Sequence, residues 1–122
     1  MAKNILLVED ERILAQMYKD KFEEAGYPTD VIFSAEEAFD FLKNNKPDLI
    51  LLDILLPKQN GVALLEALKE MPGISEIPVV ALSNYDDPET KKKAFKMGVR
   101  EYLLKTQYTP QELLSRIKKY LE

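Results

Sequence analysis

The chain has 122 residues, which suits a single domain with one sizeable hydrophobic core. Its composition is ordinary for a globular protein, and its net charge of −4 disfavours a nucleic-acid partner, since phosphate binding requires a basic face. The absence of cysteine and histidine excludes disulfides, metal sites built from thiolate or imidazole, and a histidine general base. The sequence has no apolar stretch of membrane-spanning length and no signal-peptide pattern, so we expect a cytoplasmic protein without a membrane partner.

Apolar runs alternate with helical spacings along the whole chain, and each run is short enough to be a strand. The predicted strands are 4–8, 29–33, 47–53, 77–83 and 100–105. Most of them are continuously apolar rather than alternating, which is typical of strands buried on both faces. This order predicts an α/β domain with a parallel sheet between two layers of helices.

Capping residues and apolar periodicity predict the five helices. The first helix carries Leu14, Tyr18, Phe22 and Ala25 on one side and ends at Gly26, and the second opens with Ser34 and Glu37 and runs to about Asn45. The third follows Gly61 and carries Val62, Leu65 and Leu68, and the fourth opens at Asp87-Pro88. The fifth opens with Thr109, Pro110 and Glu112, and its apolar face consists of Leu113, Leu114, Ile117 and Leu121. Because the chain ends with this fifth helix, we expect one domain over residues 1–122 and no output domain.

Asp53 is the only charged residue in the otherwise apolar run LILLDILLP at 49–57. A carboxylate is costly to bury without a partner. In open parallel sheets, ligands bind at the carboxyl ends of the strands. Polar residues at these ends are Glu9 and Asp10 after the first strand, Asp53 on the third, Ser83 on the fourth and Lys105 on the fifth. If the first and third strands are neighbours, three carboxylates converge there.

Three converging carboxylates predict a divalent-cation site. Two like charges about 4 Å apart repel by about 4 kcal/mol at the effective dielectric of a protein surface. Carboxylate oxygens without histidine or cysteine suit Mg²⁺, for which Mn²⁺ can substitute. Lys105 can balance the charge and Ser83 can donate a hydrogen bond, so Asp53 is a candidate nucleophile toward phosphorus.

The chain resembles the receiver domain of two-component response regulators over essentially its full length. The resemblance rests on LVED at 7–10, LLDILLP at 51–57, Gly61, LS at 82–83 and YLLK at 102–105, in this order and spacing. It implies a flavodoxin-like, doubly wound sheet of five parallel strands in the order 2-1-3-4-5, with helices on both faces.

The resemblance also implies a function. Asp53 would accept a phosphoryl group from a phosphohistidine on a sensor histidine kinase or a histidine phosphotransfer protein. The domain would be a signalling switch that catalyses its own phosphorylation and slowly reverses it, without turnover of an external substrate. The fourth helix, fifth strand and fifth helix would form the output face, which would contact a downstream protein or a dimer partner.

Further roles follow from the same resemblance. Asp10 would bind Mg²⁺ directly and Glu9 largely through water, with the backbone carbonyl of Leu55 as a further ligand beside Asp53. The remaining roles would fall to Ser83, which hydrogen-bonds a phosphoryl oxygen, to Lys105, which forms an ion pair with the phosphoryl group, and to Tyr102, whose rotamer follows Ser83.

The sequence departs from the family pattern near the site. Thr106 stands where the family has a proline joined by a cis bond. Without proline a cis bond costs about 3–4 kcal/mol, so the sequence does not decide whether the Lys105–Thr106 bond is cis or trans. Asn84 replaces a very small residue and is expected to narrow access to Asp53. The family positions that flank the hydrolytic water hold Leu55 and Tyr85, which cannot orient a water molecule. We therefore expect a long-lived phosphoryl group, unless Tyr85 turns to solvent and Leu55 only covers apolar surface.

Two other classes of function are alternatives to a phosphorylation switch. A constitutive interaction module would use the same fold without phosphorylation. A phosphohydrolase of the haloacid dehalogenase type requires a second aspartate two residues after the nucleophile, where this chain has Leu55, and the chain also lacks a P-loop and a dinucleotide-binding glycine motif. The lysines at 91–93 and Lys96 indicate a solvated helix face rather than a nucleic-acid site.

Overall fold

The computed structural model of the protein describes residues 2–54 and 61–122. Along these residues strands and helices alternate. The strands are β1 (Ile5–Val8), β2 (Thr29–Ile32), β3 (Leu49–Asp53), β4 (Val79–Ser83) and β5 (Glu101–Leu104). The helices are α1 (Arg12–Glu24), α2 (Ala35–Leu42), α3 (Gly61–Lys69), α4 (Pro88–Lys96) and α5 (Pro110–Ile117), and short 3₁₀ turns follow β5 (Lys105–Gln107) and α5 (Lys118–Tyr120).

The strands form one parallel sheet in the order β2-β1-β3-β4-β5. This confirms the flavodoxin-like order expected from the resemblance. All strands run in the same direction, so their carboxyl ends meet at one edge. The order reverses between β1 and β3, and a crevice at such a reversal is where ligands bind in open α/β sheets.

The central strands are buried on both faces, which explains their continuously apolar sequences. One core layer packs side chains such as Leu6 and Leu52 against α2, α3 and α4. The other packs side chains such as Leu7 and Leu51 against α1 and α5. Because successive side chains of β1 and β3 point to opposite faces of the sheet, each strand contributes side chains to both core layers.

The helix faces follow the predicted periodicity with one exception. Tyr18 and Phe22 are buried, as are Leu65, Leu68 and the apolar residues of the last helix, whereas Leu14 is partly buried. Ala25 is exposed, because α1 has ended and residue 25 is its C-cap. Gly26 follows with a φ of 96°, a conformation that favours glycine and ends the helix. The side chain of Val62 lies outside the described residues.

Helix starts were predicted better than helix ends. The Ser34 hydroxyl accepts the backbone N–H of Glu37, and Thr109 and Glu112 form a reciprocal capping box. Asp87 is the N-cap of α4, before Pro88 at the first helical position.

The predicted end of α2 near Asn45 was wrong, because the helix ends at Leu42. The side-chain amide of Asn45 donates to the carbonyl of Phe41 at 2.9 Å and so terminates the helix instead of extending it.

The strands are also shorter than predicted at their ends. Pro47 and Pro78 precede β3 and β4, because proline has no N–H to donate to the sheet. At the other end of the sheet, Lys105 lies outside β5 and begins a 3₁₀ turn. In the part of the chain that the structure describes, no helix has the length and apolar character needed to cross a membrane.

Candidate functional site

Strand register brings the acidic residues together at the carboxyl edge. Val8 is the register partner of Leu52, so the next residues along the two strands, Glu9 and Asp53, are neighbours. One carboxylate oxygen from each of Glu9, Asp10 and Asp53 lies within 4.8 Å of the others. The predicted convergence of three carboxylates is therefore present.

Lys105 lies between two of these carboxylates, Glu9 and Asp53, and its side chain is almost completely buried. Its Nζ is 2.9 Å from Asp53 Oδ2 and donates a hydrogen bond to it. The same Nζ is 2.6 Å from Glu9 Oε1 and 3.9 Å from Glu11 Oε2. The side chains of Lys105, Glu9 and Asp53 are exposed by 3%, 0% and 5%, so the lysine is a buried cation shared between two buried carboxylates.

Burial and charge shift the protonation of this group in identifiable ways. Burial raises the pKa of Glu9 from 4.5 to about 7, although Lys105 acts in the opposite direction. Burial by itself lowers the pKa of Lys105, but the contacts with Glu9 and Asp53 outweigh it and the pKa is raised. Lys105 therefore stays charged, while Glu9 exchanges its proton near neutral pH.

The acidic residues fit a divalent cation. Their donor atoms are hard carboxylate oxygens, which Mg²⁺ and Mn²⁺ prefer. Glu9 Oε1 is buried and, among the described residues, has no aligned hydrogen-bond donor, although Lys105 Nζ is close to it. A buried oxygen with an incomplete set of partners is suited to a cation ligand, directly or through water.

Ser83, Tyr85 and Tyr102 form a second polar group beside the carboxylates. The Ser83 hydroxyl donates to the Tyr85 carbonyl and accepts from the Tyr85 N–H, each at 3.0 Å. The Tyr102 hydroxyl donates to the same carbonyl at 3.2 Å. Ser83 and Tyr102 are thus linked through one backbone oxygen on the loop between β4 and α4.

The residues that depart from the family pattern are placed as follows. The Lys105–Thr106 peptide bond is trans, and Lys105 still reaches Asp53. Asn84 is exposed, and Tyr85 is 64% exposed, which corresponds to the alternative in which its side chain turns to solvent. Leu55, whose carbonyl was predicted to bind metal, lies outside the described residues.

Two contributions were not predicted. The Glu11 backbone N–H donates to Glu9 Oε2 at 3.1 Å, and so orients this carboxylate. The Tyr85 carbonyl joins Ser83 to Tyr102. Backbone groups carry no residue-specific signal in a sequence, so neither contact could be inferred from residue types.

A comparison with known families identifies the family of this chain. The family model for the response regulator receiver domain matches residues 5–118. The chain belongs to this family. Receiver domains work in phosphorylation-based signalling with histidine kinases and downstream targets, and they typically bind a divalent metal.

Individual relatives and a related crystal structure support the same family. A probable transcriptional regulator, ycf29 of Porphyra purpurea, is 33% identical over 97% of this chain and 56% of its own length. The polar-differentiation response regulator DivK of Brucella ovis is 31% identical over 99% of this chain and 98% of its own. The crystal structure of the Mn²⁺-bound form of response regulator Rcp1 superposes with a TM-score of 0.86, at 26% identity over 98% of this chain and 95% of that one.

The two relatives differ in length. The chain spans about half the length of ycf29 but nearly all of DivK. Their similarity therefore concerns the receiver domain, which is the part that they have in common with this chain.

Proposed function

We propose that this receiver domain is a phosphorylation-dependent switch in which Asp53 accepts a phosphoryl group from a histidine kinase or a histidine phosphotransfer protein. The observation that carries the proposal is the position of Asp53. It ends a buried strand, lies 2.9 Å from a buried lysine, and has two other carboxylates within 4.8 Å. A buried carboxylate beside a lysine and two further carboxylates is suited to act as a nucleophile toward phosphorus.

The proposed reaction is a direct transfer of the phosphoryl group from a phosphohistidine to Asp53. An oxygen of the ionised Asp53 carboxylate attacks the phosphorus of a phosphohistidine, so an O–P bond forms and the N–P bond breaks. The electron pair of the N–P bond returns to the imidazole, which leaves neutral because its other nitrogen carries a proton. The phosphoryl group stays on Asp53 as a mixed anhydride until water attacks it.

Glu9, Asp10, Asp53 and the Leu55 carbonyl are the proposed metal ligands. A Mg²⁺ ion held there, or Mn²⁺ as in the related Rcp1, would neutralise charge on the carboxylates and on the transferred phosphoryl group. The support for this assignment is the donor set and the buried Oε1 of Glu9.

Lys105 and Ser83 would respond to phosphorylation of Asp53. Lys105 already donates to Asp53 and would pair with a phosphoryl oxygen from the same position. Ser83 would turn its hydroxyl from the Tyr85 carbonyl to the phosphoryl group. The carbonyl would keep Tyr102 as a donor, and loss of the Ser83 contact would shift the population of arrangements of the loop before α4.

The proposed output face consists of α4, β5 and α5. Tyr102 lies on β5 and connects this face to the site through the Tyr85 carbonyl. A downstream protein or a dimer partner would read the change. The cysteine-free composition suits a reducing cytoplasm, which is the compartment that we assign to the reaction.

Intact mass after incubation with acetyl phosphate and Mg²⁺ tests the assignment of Asp53. The native chain and Asp30→Asn should each gain one phosphoryl mass, because Asp30 is an exposed residue on β2 away from the site. Asp53→Asn should gain none. An equal gain in Asp53→Asn would show that another residue is phosphorylated.

Beryllofluoride with Mg²⁺, which mimics the aspartyl phosphate, tests the output face. Amide NMR shifts should extend from the site through residues 83–85 and 102 to α4 and α5. Shifts confined to α1, β2 and α2 would place the output elsewhere.

A further inference from the structure

A groove between α2 and α3 shares no residue with the proposed phosphorylation site. Its volume is about 300 Å³. Its lining includes Glu36, Phe39 and Asp40 of α2 and Ala63, Leu64 and Ala67 of α3. This α2–α3 groove therefore combines apolar side chains with two carboxylates.

The floor of the α2–α3 groove is apolar and accessible to solvent. Leu64 is buried, whereas Ala63 is exposed and Ala67 is partly exposed. The two alanines are four positions apart, so they lie on the same side of α3. Because an alanine side chain ends at Cβ, a segment that enters the groove can approach the backbone of α3 closely. The partly buried Phe39 adds an aromatic surface on the α2 side.

The α2 side of the groove is negatively charged. Glu36 and Asp40 are both exposed and four positions apart, on the same side of the helix. Glu36 lies in the first turn, where the helix dipole favours a carboxylate, but this effect falls off beyond that turn and does not account for Asp40. Among the residues that the structure describes, no cation lies within ion-pair distance of Glu36. The edge of the groove therefore attracts cations.

Lys43 shows which chemistry this edge accepts. Its Nζ lies 3.2 Å from Asp40 Oδ1 and 5.2 Å from the centre of the Phe39 ring. A cation of the chain itself thus already contacts both a carboxylate and an aromatic face of the groove. The side chains of Lys43 and Asp40 are 55% and 68% exposed, and exposed ion pairs contribute little to stability. A cation of another molecule can therefore replace Lys43 at a small cost.

The charge of the groove limits the kinds of partner that fit it. A symmetric dimer joins a surface to the same surface of the other copy, so Glu36 and Asp40 would meet the same two carboxylates. A nucleic acid or an anionic membrane would also bring like charges together. A helix that carries lysine or arginine three or four positions from an apolar residue matches both the floor and the spacing of the carboxylates.

We propose that the α2–α3 groove binds a basic amphipathic helix of another protein. An apolar side chain such as leucine or methionine would lie over the alanines of α3, and a lysine or arginine one turn away would pair with Glu36 and Asp40 in place of Lys43. The contact involves neither Asp53 nor any residue of α4, β5 or α5. It is an interaction surface separate from the proposed output face, and it is available whether or not Asp53 is phosphorylated.

Selection from a displayed library of helical peptides, randomised on one face, tests the chemistry of the partner without assuming its sequence. The native chain should enrich peptides that combine lysine or arginine with leucine or methionine, with or without beryllofluoride and Mg²⁺. Glu36→Gln/Asp40→Asn should not enrich them. Asp20→Asn/Glu24→Gln, which removes two exposed carboxylates with the same spacing on α1, should enrich them as the native chain does.

Two results of this selection would overturn the proposal. One is the absence of any enriched basic peptide. The other is equal enrichment by all three chains, because binding would then reflect only the negative net charge of the protein. Since the unphosphorylated chain is included, a failure of Asp53 phosphorylation would change neither result.

Fluorescence anisotropy with an enriched peptide tests the floor of the groove and the exchange of cations. Ala63→Gln should weaken binding by about tenfold, because the longer side chain occupies space over α3, whereas Ala25→Gln at an exposed position of α1 should not. Lys43→Gln should strengthen binding by about threefold, because it removes the competing cation. Lys3→Gln changes the net charge equally and should not have this effect. Unchanged binding in both Ala63→Gln and Lys43→Gln would contradict the proposed contact.

Amide NMR with the same peptide locates the contact. The largest shifts should fall within residues 35–40 and 63–67, which line the groove. Largest shifts on α4, β5 and α5 would move the contact to the proposed output face. Self-association in sedimentation experiments that is lost in Glu36→Gln/Asp40→Asn would assign the groove to a second copy of the chain. Either result would overturn the proposal.

Discussion

Lys105 Nζ lies closer to Glu9 Oε1, at 2.6 Å, than to Asp53 Oδ2, at 2.9 Å. The cation that is proposed to pair with the phosphoryl group is therefore held by two carboxylates in the resting protein. When Asp53 is phosphorylated or substituted, Glu9 remains as a buried partner of Lys105. Glu9 thus has a role in holding Lys105 in addition to its proposed role toward the metal.

The metal-free protein should lose stability as pH rises from about 4.5 to about 7. Burial raises the pKa of Glu9 from 4.5 to about 7, so in this range the native state holds a proton that the unfolded chain has released. The raised pKa of Lys105 does not contribute there, because its effect is lost only in the alkaline range. Urea unfolding in the presence of chelator, measured across this pH range, gives the slope.

Glu9→Gln should flatten that slope, because glutamine does not titrate. Glu36→Gln removes an exposed carboxylate on α2 and serves as the matched control, which should keep the native slope. Equal slopes in the native chain and Glu9→Gln would mean that Glu9 is not the titrating group.

Millimolar Mg²⁺ should raise the melting temperature relative to chelator. A ligand that binds only the native state stabilises it by about 1.4 kcal/mol at roughly ten times its dissociation constant. Asp10→Asn should lose most of this rise, because it removes one of three carboxylates in the cluster. Asp20→Asn, an exposed residue on α1, should retain it. A full rise in Asp10→Asn would contradict the assigned ligand set.

Ser83 and Tyr102 should be energetically coupled through the Tyr85 carbonyl. Ser83→Ala and Tyr102→Phe each leave the carbonyl one of its two described donors, at a cost of about 0.5–1.5 kcal/mol for the lost donor. Ser83→Ala also removes the acceptor of the Tyr85 N–H, which adds a similar cost to that variant alone. The double variant leaves it none and should cost more than the sum, by about 0.5 kcal/mol or more. Urea unfolding measures all three. Strict additivity, as expected for Ser83→Ala with the distant Tyr27→Phe, would show that the shared acceptor has no energetic role.

Leu55→Asn should shorten the lifetime of the phosphorylated protein by up to about tenfold, equivalent to about 1.4 kcal/mol of barrier, because a carboxamide at this position could orient the attacking water. Tyr85→Ala should have little effect, since the Tyr85 side chain is 64% exposed. Decay of the phosphorylated mass in excess Mg²⁺ measures both. An unchanged rate in Leu55→Asn would leave only the apolar covering role for Leu55.

Much of the fold could be predicted because its signals are local. Continuous apolar runs, capping residues and helical periodicity each depend on a few consecutive positions, and they placed all the described strands and helices. The end of α2 could not be predicted, because Asn45 closes it with a side-chain hydrogen bond that the sequence does not distinguish from one more helical turn.

The candidate site could be predicted only in part. Residue types gave the convergence of Glu9, Asp10 and Asp53 on the condition that β1 and β3 are neighbours, and that adjacency came from the resemblance. The contact between Lys105 and Glu9 was not predicted, because it joins the ends of the first and last strands and depends on three-dimensional packing. The same reasoning applies to the carbonyl that Ser83 and Tyr102 share.

The strand order has a consequence for when signalling becomes possible. Lys105 follows the last strand, β5, at one margin of the sheet, while Glu9 follows the first strand and Asp53 the third. Parallel pairings between distant segments form slowly, because each closes a long stretch of chain first. A nascent or partly unfolded copy would therefore lack the lysine beside its aspartate and would make a poor phosphoryl acceptor. In the proposed function, the domain can therefore receive a signal only after the sheet has assembled from β1 through β3 and β4 to β5.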